Sequence, residues 1–193
     1  MDGAASDNRT ELLDCALRLF VAHGYDGVGV QQIVAAAGVT KPTLYHYFGS
    51  KLGLLEALLD AHLGGLYAEL EGAAAYHHDL SLTLAQLARS TFAFARAHPD
   101  AYRLHLSLWF APAQSQASRA AARFHQRQFA FIEGLFRDAA RDHGNMKGRH
   151  QAYAATYLGM LNTYVGLALN GYTALNDALV RQSVHQFMHG IFS

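Results

Sequence analysis

Apolar residues return every third or fourth position along most of this chain, which is the period of helices with one buried face. From about Arg9 to His23, the residues Leu13, Ala16, Leu17 and Phe20 fall at i, i+3, i+4 and i+7, and Gly24 then suits a C-terminal cap. Val30, Ile33, Val34 and Ala37 form a second set, a helix of barely two turns that stops at Gly38. Thr40 stands where an N-cap belongs, and Pro42 fits the first turn of a third helix because an early helical N–H needs no partner. Ser50 is placed to cap a fourth helix, whose Leu55, Leu58, Leu59, Leu63, Leu66 and Leu70 run along one side. His77-His78-Asp79 marks a break, followed by helical patterns over about 81–97 and 99–110. The stretch "PAQSQAS" at 112–118 reads as a loop, and a long helix over about 119–143 ends at "HGNMKG". Two more helices are predicted over about 149–172 and 177–192.

The pattern therefore predicts an all-α protein of about nine helices, with no internal repeat. Helices as short as the second and third are marginal in water, so they persist only when packed on the first and on the start of the fourth. That predicts an N-terminal three-helix unit over residues 1–50 and a larger helical domain over 51–193.

Composition narrows the function classes. Fifteen Lys and Arg balance fifteen Asp and Glu, so a nucleic-acid partner must be held by a local arrangement of charge and not by a basic whole. The single cysteine, Cys15, sits among apolar positions and reads as a buried thiol, and no disulfide can form within one chain. The segment "MDGAASDNRTELL" is polar and acidic, unlike a secretory signal, so the expected location is cytoplasmic. Gln151 to Asn176 carries no charged residue and is long enough to cross a bilayer. Its Asn162, Asn170, threonines and tyrosines make a poor lipid-facing surface, and the expectation is a helix buried by its neighbours or by a second subunit, with no membrane partner.

The stretch "GVTKPTLYHYFGSK", Gly38 to Lys51, carries the chemistry. A short helix, a glycine able to adopt the left-handed conformation, and a second short helix make a helix-turn-helix, whose second helix enters the DNA major groove. On a helical wheel Leu44 and Phe48 share the core side, which leaves Pro42, Thr43, Tyr45 and His46 on the opposite arc. Bland readings stand beside this one: Tyr47 fits a half-core position, Thr40 fits a pure cap, and His46 alone fits an exposed surface histidine.

These residues, preceded by "ELLDCALRLFVAHGYDGVGVQQIVAAA", resemble the N-terminal domain of the TetR family of transcriptional regulators over roughly Thr10 to Leu59. The resemblance rests on Gly24-Tyr25, the Ile33 helix, Ala37-Gly38-Val39, Leu44-Tyr45-x-Tyr47-Phe48 and Lys51 in register. It implies a DNA-binding dimer whose remaining two thirds is a helical domain that dimerises and encloses a ligand. It also implies that Thr40, Lys41 and Thr43 reach base edges or phosphates. Tyr45 and His46 would touch bases or backbone, Tyr47 and Lys51 phosphates, and Gln31 would reach DNA from the second helix. Gln can pair with an adenine edge, a Thr methyl with a thymine methyl, and lysine displaces counterions.

Two positions depart from the family pattern. Val28 and Gly29 stand where Ser or Thr usually caps the second helix, which suggests a bare backbone N–H for a phosphate, and Val34 stands where a small Ala is common. The unit also lacks a basic surplus, since Arg9, Arg18, Lys41 and Lys51 face Asp2, Asp7, Glu11, Asp14 and Asp26. Weak nonspecific DNA affinity with a shallow salt slope is the expectation.

In the C-terminal two thirds, Ala154, Leu158, Leu161, Val165 and Ala168 form one seam, and Val180, Val184, Phe187, Met188 and Ile191 another. Packed against their symmetry mates as a four-helix bundle, with Gly159 and Gly166 allowing close approach, they make a homodimer. Leu158, Leu161, Val165, Val180, Val184 and Phe187 are its expected interface residues. A dimer presents two recognition helices about one DNA turn apart, which predicts a near-palindromic operator. The alternative is that both seams pack only within the chain. Many aromatics fall in this region, and Tyr102, His105, Trp109, His125 and Tyr157 are candidates to line an apolar effector pocket. Twelve histidines, with His185 and His189 one turn apart, raise a metal site, but no Glu, Asp or Cys completes a set at recognisable spacing. No cofactor is expected. The expectation is a ligand-responsive transcriptional regulator, more a repressor than an activator and not an enzyme. The alternative is a helical small-molecule-binding or metal-binding protein or enzyme without DNA-binding activity.

Overall fold

The computed structural model describes residues 2–190, with side chains from residue 8 onward. Among the described residues the chain is all-α, with α1 (Asp2–His23), α2 (Val30–Ala36), α3 (Lys41–Phe48), α4 (Lys51–Ala73) and α5 (Leu80–Ala97). α6 (Pro99–Trp109) and α7 (Gln116–Ala139) follow, then a 3₁₀ turn (Gly144–Met146), α8 (His150–Leu169) and α9 (Asp177–His189). Ile191 and Phe192, expected in the last helix, lie outside the described residues.

Contacts divide the chain into two compact units. One holds the chain up to Gly64 together with Asp100–Arg123; the other holds Gly65–Pro99 and the chain from Phe124 on. The expected division at residue 50 thus falls inside the first unit, which takes in α6 and the start of α7 as well.

In the first unit, α1, α2 and α3 pack on one another. Leu12, Leu13, Ala16, Leu17 and Phe20 of α1 are buried, with Val28, Ile33, Val34, Leu44, Leu54, Leu55 and Leu58. Deleting methylenes from such a core removes transfer energy and leaves a cavity, so this set holds two helices too short to stand alone. Tyr25 stacks at 5.3 Å on Phe20 and donates its hydroxyl to Gln116 Oε1 at 3.1 Å, tying the α1–α2 loop to the first turn of α7. Arg123 of α7 pairs with Asp60 of α4 at 2.7 Å.

In the second unit, α5 packs on α8 and α9. Leu80, Leu84, Leu87, Ala88, Phe92 and Ala95 give α5 its buried face, and Asp79 caps it by accepting from the Leu82 N–H at 2.8 Å. Tyr157 of α8 is fully buried and donates its hydroxyl to the Leu84 carbonyl at 2.5 Å. The loops at the α5 N-terminus and after α7 are clasped by Asp142, whose Oδ2 accepts from Tyr76 at 2.9 Å and meets His78 Nδ1 at 2.6 Å. Those two bonds hold the Asp142 carboxyl below its ordinary range, His78 first and Tyr76 second. No helix among the described residues is long and apolar enough to cross a membrane. The uncharged 151–176 stretch ends its helix at Leu169, where Asn170 turns back to donate to the Gly166 carbonyl at 2.9 Å.

Candidate nucleic-acid interface

α2 begins without a side-chain cap at Gly29, as Val28-Gly29 predicts. The Gly29 N–H is nevertheless not left for a phosphate: Gln32 reaches back and accepts it at 2.7 Å. This is the return half of a capping box, and Val28 before the cap and Ile33 four positions into the helix, both at 0% exposure, occupy the two positions of a hydrophobic staple. A fully buried valine does by packing what a serine would do by hydrogen bonding.

α2 ends in paired reverse bonds, Val39 N–H to Val34 O at 3.0 Å and Gly38 N–H to Ala35 O at 3.4 Å, with Gly38 at φ +65°. A residue with a Cβ is disfavoured in that conformation, so the glycine is what lets the chain turn from α2 into α3 within so few residues. The exit of α3 is equally constrained. Ser50 Oγ accepts the Gly53 N–H at 2.9 Å, and a Cβ at Gly53 would lie 2.0 Å from the Phe48 carbonyl oxygen. Ser50 caps α4 as expected; the close approach at Gly53 was not legible, because nothing in the local pattern announces it.

Of α3 itself, only Leu44 is fully buried. Gln31, Thr40, Lys41, Pro42, Tyr45 and His46 are exposed, whereas Thr43, Tyr47 and Phe48 are half-buried. Thr40 holds the N-cap position but bonds no helix N–H; its hydroxyl pairs with that of Thr43 at 2.9 Å, so the two present one polar edge. His46, Tyr47 and Phe48 form a chain of ring contacts at 5.4 and 6.0 Å. Arg9 of α1 lies over the Phe48 ring at 5.6 Å. Phe48, expected in the core, is therefore a shelf between the core and that guanidinium.

Lys51 is placed differently from the exposed residues. Its ammonium donates to the carbonyls of Tyr25 and Val28, each at 2.9 Å, and sits 4.1 Å over the Tyr25 ring. Partial burial lowers its affinity for a proton, with Asp26 opposing. A lysine held this way locks the α1–α2 loop against the first turn of α4, and keeps one N–H direction for anything outside.

The remaining candidates fall as follows. Tyr102 and His105 of α6 are buried, with rings 5.4 Å apart, and Trp109 is 39% exposed; all three belong to the first unit. His125 and Tyr157 belong to the second. Burial pushes the His125 imidazole down to about 4. Leu158, Leu161, Val165, Val180 and Val184 are all buried within the protomer, and only Phe187 of the expected dimer residues is half-exposed. The exposed face of α8 is instead Ala152, Ala155, Thr156, Gly159 and Thr163. A groove of about 500 Å³ lies beside it, lined by Tyr153, Thr156, Met160, Thr163, Tyr164, Gln186 and Phe187. His185 and His189 lie with rings 4.6 Å apart, and no group of three or more metal-ligating side chains occurs among the described residues.

Comparison with known proteins bears on the N-terminal segment most directly. Residues 12–58 match the profile of bacterial regulatory proteins of the tetR family. The transcriptional activator FasR of Mycolicibacterium smegmatis is 35% identical over 98 residues, which is 51% of this chain and 45% of FasR. The chain thus spans less than half the length of the first curated relatives it matches. The regulator BetI of Brucella suis biovar 1 is 29% identical over 188 residues, covering 84% of this chain and 92% of BetI. Among solved structures, the transcriptional regulator FadR of Bacillus subtilis, in complex with stearoyl-CoA, superposes with a TM-score of 0.77 at 18% identity, over 94% of this chain and 98% of FadR. At that identity the likeness concerns the fold. The helix-turn-helix geometry and the matched profile together make residues 12–58 similar to the N-terminal domain of the tetR family of bacterial regulatory proteins.

Proposed function

We propose that this protein is a ligand-responsive transcriptional regulator, acting in the cytoplasm as a homodimer on a near-palindromic operator, and more a repressor than an activator. One observation carries the DNA-binding part: α3 is fixed by a fully buried Leu44 while Thr40, Lys41, Tyr45 and His46 project from it as a polar and aromatic arc. A short helix with one residue fully in the core and an exposed polar and aromatic arc is shaped to enter a groove. Thr40, Lys41 and Thr43 are the proposed base and phosphate contacts at its start, Tyr45 and His46 read bases or backbone, and Gln31 and Tyr47 add contacts at the edges. Lys51 acts first by holding the loop and second by offering its remaining N–H to a phosphate.

Dimerisation is proposed through the exposed small-residue face of α8 and the adjoining groove with Phe187, because the longer apolar side chains of α8 and α9 are already used inside the protomer. The effector is proposed to be a largely apolar or aromatic small molecule, a reading supported by the aromatic content of the helical region and by the stearoyl-CoA held by the B. subtilis FadR. Ligand would act by binding one spacing of the two DNA-reading units better than another. Selection from a random DNA pool with the full-length protein tests the reading. Recovery of a near-palindrome is expected, and recovery of no common site by folded dimer overturns it.

A further inference from the structure

On α7, Phe124, Gln128, Ile132 and Leu135 of the second unit are buried, at spacings of four, four and three. Gln128 alone of these is not hydrocarbon. It is 4% exposed, and its side-chain oxygen has no hydrogen-bond partner. Buried polar groups are nearly always paired, and a leucine or methionine would fill the same space without leaving an acceptor unmet. Packing therefore gives no reason for an amide at this position.

We propose that Gln128 is a ligand-recognition residue, whose amide oxygen accepts from an effector with an apolar body and an uncharged hydrogen-bond donor, a hydroxyl or an amide N–H. This rests on the effector-responsive reading above and names the chemistry of that effector. The surroundings select a neutral donor. No Asp, Glu, Lys or Arg among the described residues of this unit is buried, so neither a carboxylate nor an ammonium would find a buried counter-charge. His125, three residues before Gln128 on the same helix, is held neutral by burial and offers no cation near pH 7. Phe124, one turn away, packs its ring 5.4 Å from that of Tyr67 and supplies apolar wall. An amide oxygen among such groups favours a ligand that brings a proton, and disfavours one that brings only acceptors or a charge.

The test uses the full-length protein and two matched probe series: 1-dodecanol, dodecanamide, methyl dodecanoate and dodecanoate, and 2-naphthol, 2-methoxynaphthalene and 2-naphthoate. Titration calorimetry is expected to show the neutral donors of at least one series binding about 10-fold or more tighter than the ester, ether and carboxylate members. In Gln128→Leu that preference disappears, while the midpoint of thermal unfolding holds or rises and operator affinity without probe is unchanged. Gln128→Met serves the same purpose should the leucine variant not fold. A carboxylate, ester or ether binding as well as its donor counterpart, retention of the preference in the variant, or no binding by any donor to protein that still binds operator, overturns the proposal. Each of those outcomes leaves the DNA-binding reading standing, whereas failure of the wild type to select any operator overturns that reading instead.

Discussion

α3 and α8 make an instructive pair. α3 has eight residues, one of them fully buried, and apart from the exposed Pro42 everything else on it is polar, aromatic or half-covered. α8 has twenty residues and no Asp, Glu, Lys or Arg, and it buries Ala154, Tyr157, Leu158, Leu161 and Val165 while exposing Ala152, Ala155, Thr156, Gly159 and Thr163. On the short helix one face is plainly inner and one plainly outer. On the long one both faces are compatible with burial, so periodicity finds a seam but cannot say what lies across it. Tyr157, Leu158, Leu161 and Val165 face the protomer interior, and the small residues lie on the exposed face through which dimerisation is proposed.

The largest expected effects test which seam is which. Leu44→Ala and Leu161→Ala should each lower the free energy of unfolding by about 2–5 kcal/mol in urea titration, as fully buried leucines do. If Leu161→Ala instead splits a dimer and leaves protomer stability alone, the interior assignment on α8 is wrong. Gly159→Arg, at an exposed site with no atom within 4 Å of the added Cβ, should leave the fold intact and convert dimer to monomer by sedimentation, with operator binding lost. A dimer that survives this change moves the interface elsewhere.

Within the first unit, Lys51→Met removes two charge-assisted bonds to carbonyls and should reduce stability by about 1–2 kcal/mol, below the full value for such bonds because the site is partly solvated. Operator affinity should fall through loss of loop position and of one phosphate contact, with the salt slope lower by about 1; an unchanged slope would leave Lys51 its loop-holding role alone. Tyr45→Ala should weaken operator binding about 10-fold at unchanged melting temperature, since the ring is 48% exposed and supports no core. Affinity equal to wild type would remove Tyr45 from the interface. The smallest effect concerns the Asp142 clasp. Its carboxyl is held below the ordinary range, so the clasp stabilises wherever Asp142 is ionised, and that contribution is lost as pH falls through the lowered value. The melting-temperature gap between wild type and Asp142→Asn should therefore narrow as pH falls through the range in which the Asp142 carboxyl takes up its proton.

Much of the first unit could be read residue by residue. The turn at Gly38, the cap at Ser50 and the inward Leu44 all follow from rules that act over four or five positions, and each appears where the pattern puts it. Less legible were features in which distant residues meet. Nothing near Tyr25 points to Gln116, and nothing near Lys51 points to the carbonyls of Tyr25 and Val28. The exchange of a hydroxyl cap for Val28, Gln32 and Ile33 was half visible, since the missing cap could be seen but the destination of the Gly29 N–H could not. In the second unit nothing in the sequence sets Gln128 apart from the other polar positions of α7. Only its burial without a donor singles it out.

By itself the sequence determined the all-helical fold, the order of its elements and the helix-turn-helix, because these depend on apolar period, caps and glycines acting along a few residues of chain. The tertiary structure decided which of two plausible faces each long helix turns inward, and that Lys51 spends its charge on backbone. It also decided that the side-chain oxygen of Gln128 is buried without a hydrogen-bond partner. Those outcomes depend on which groups from remote parts of the chain arrive to share a volume, and a burial or a hydrogen bond exists only once both partners are there.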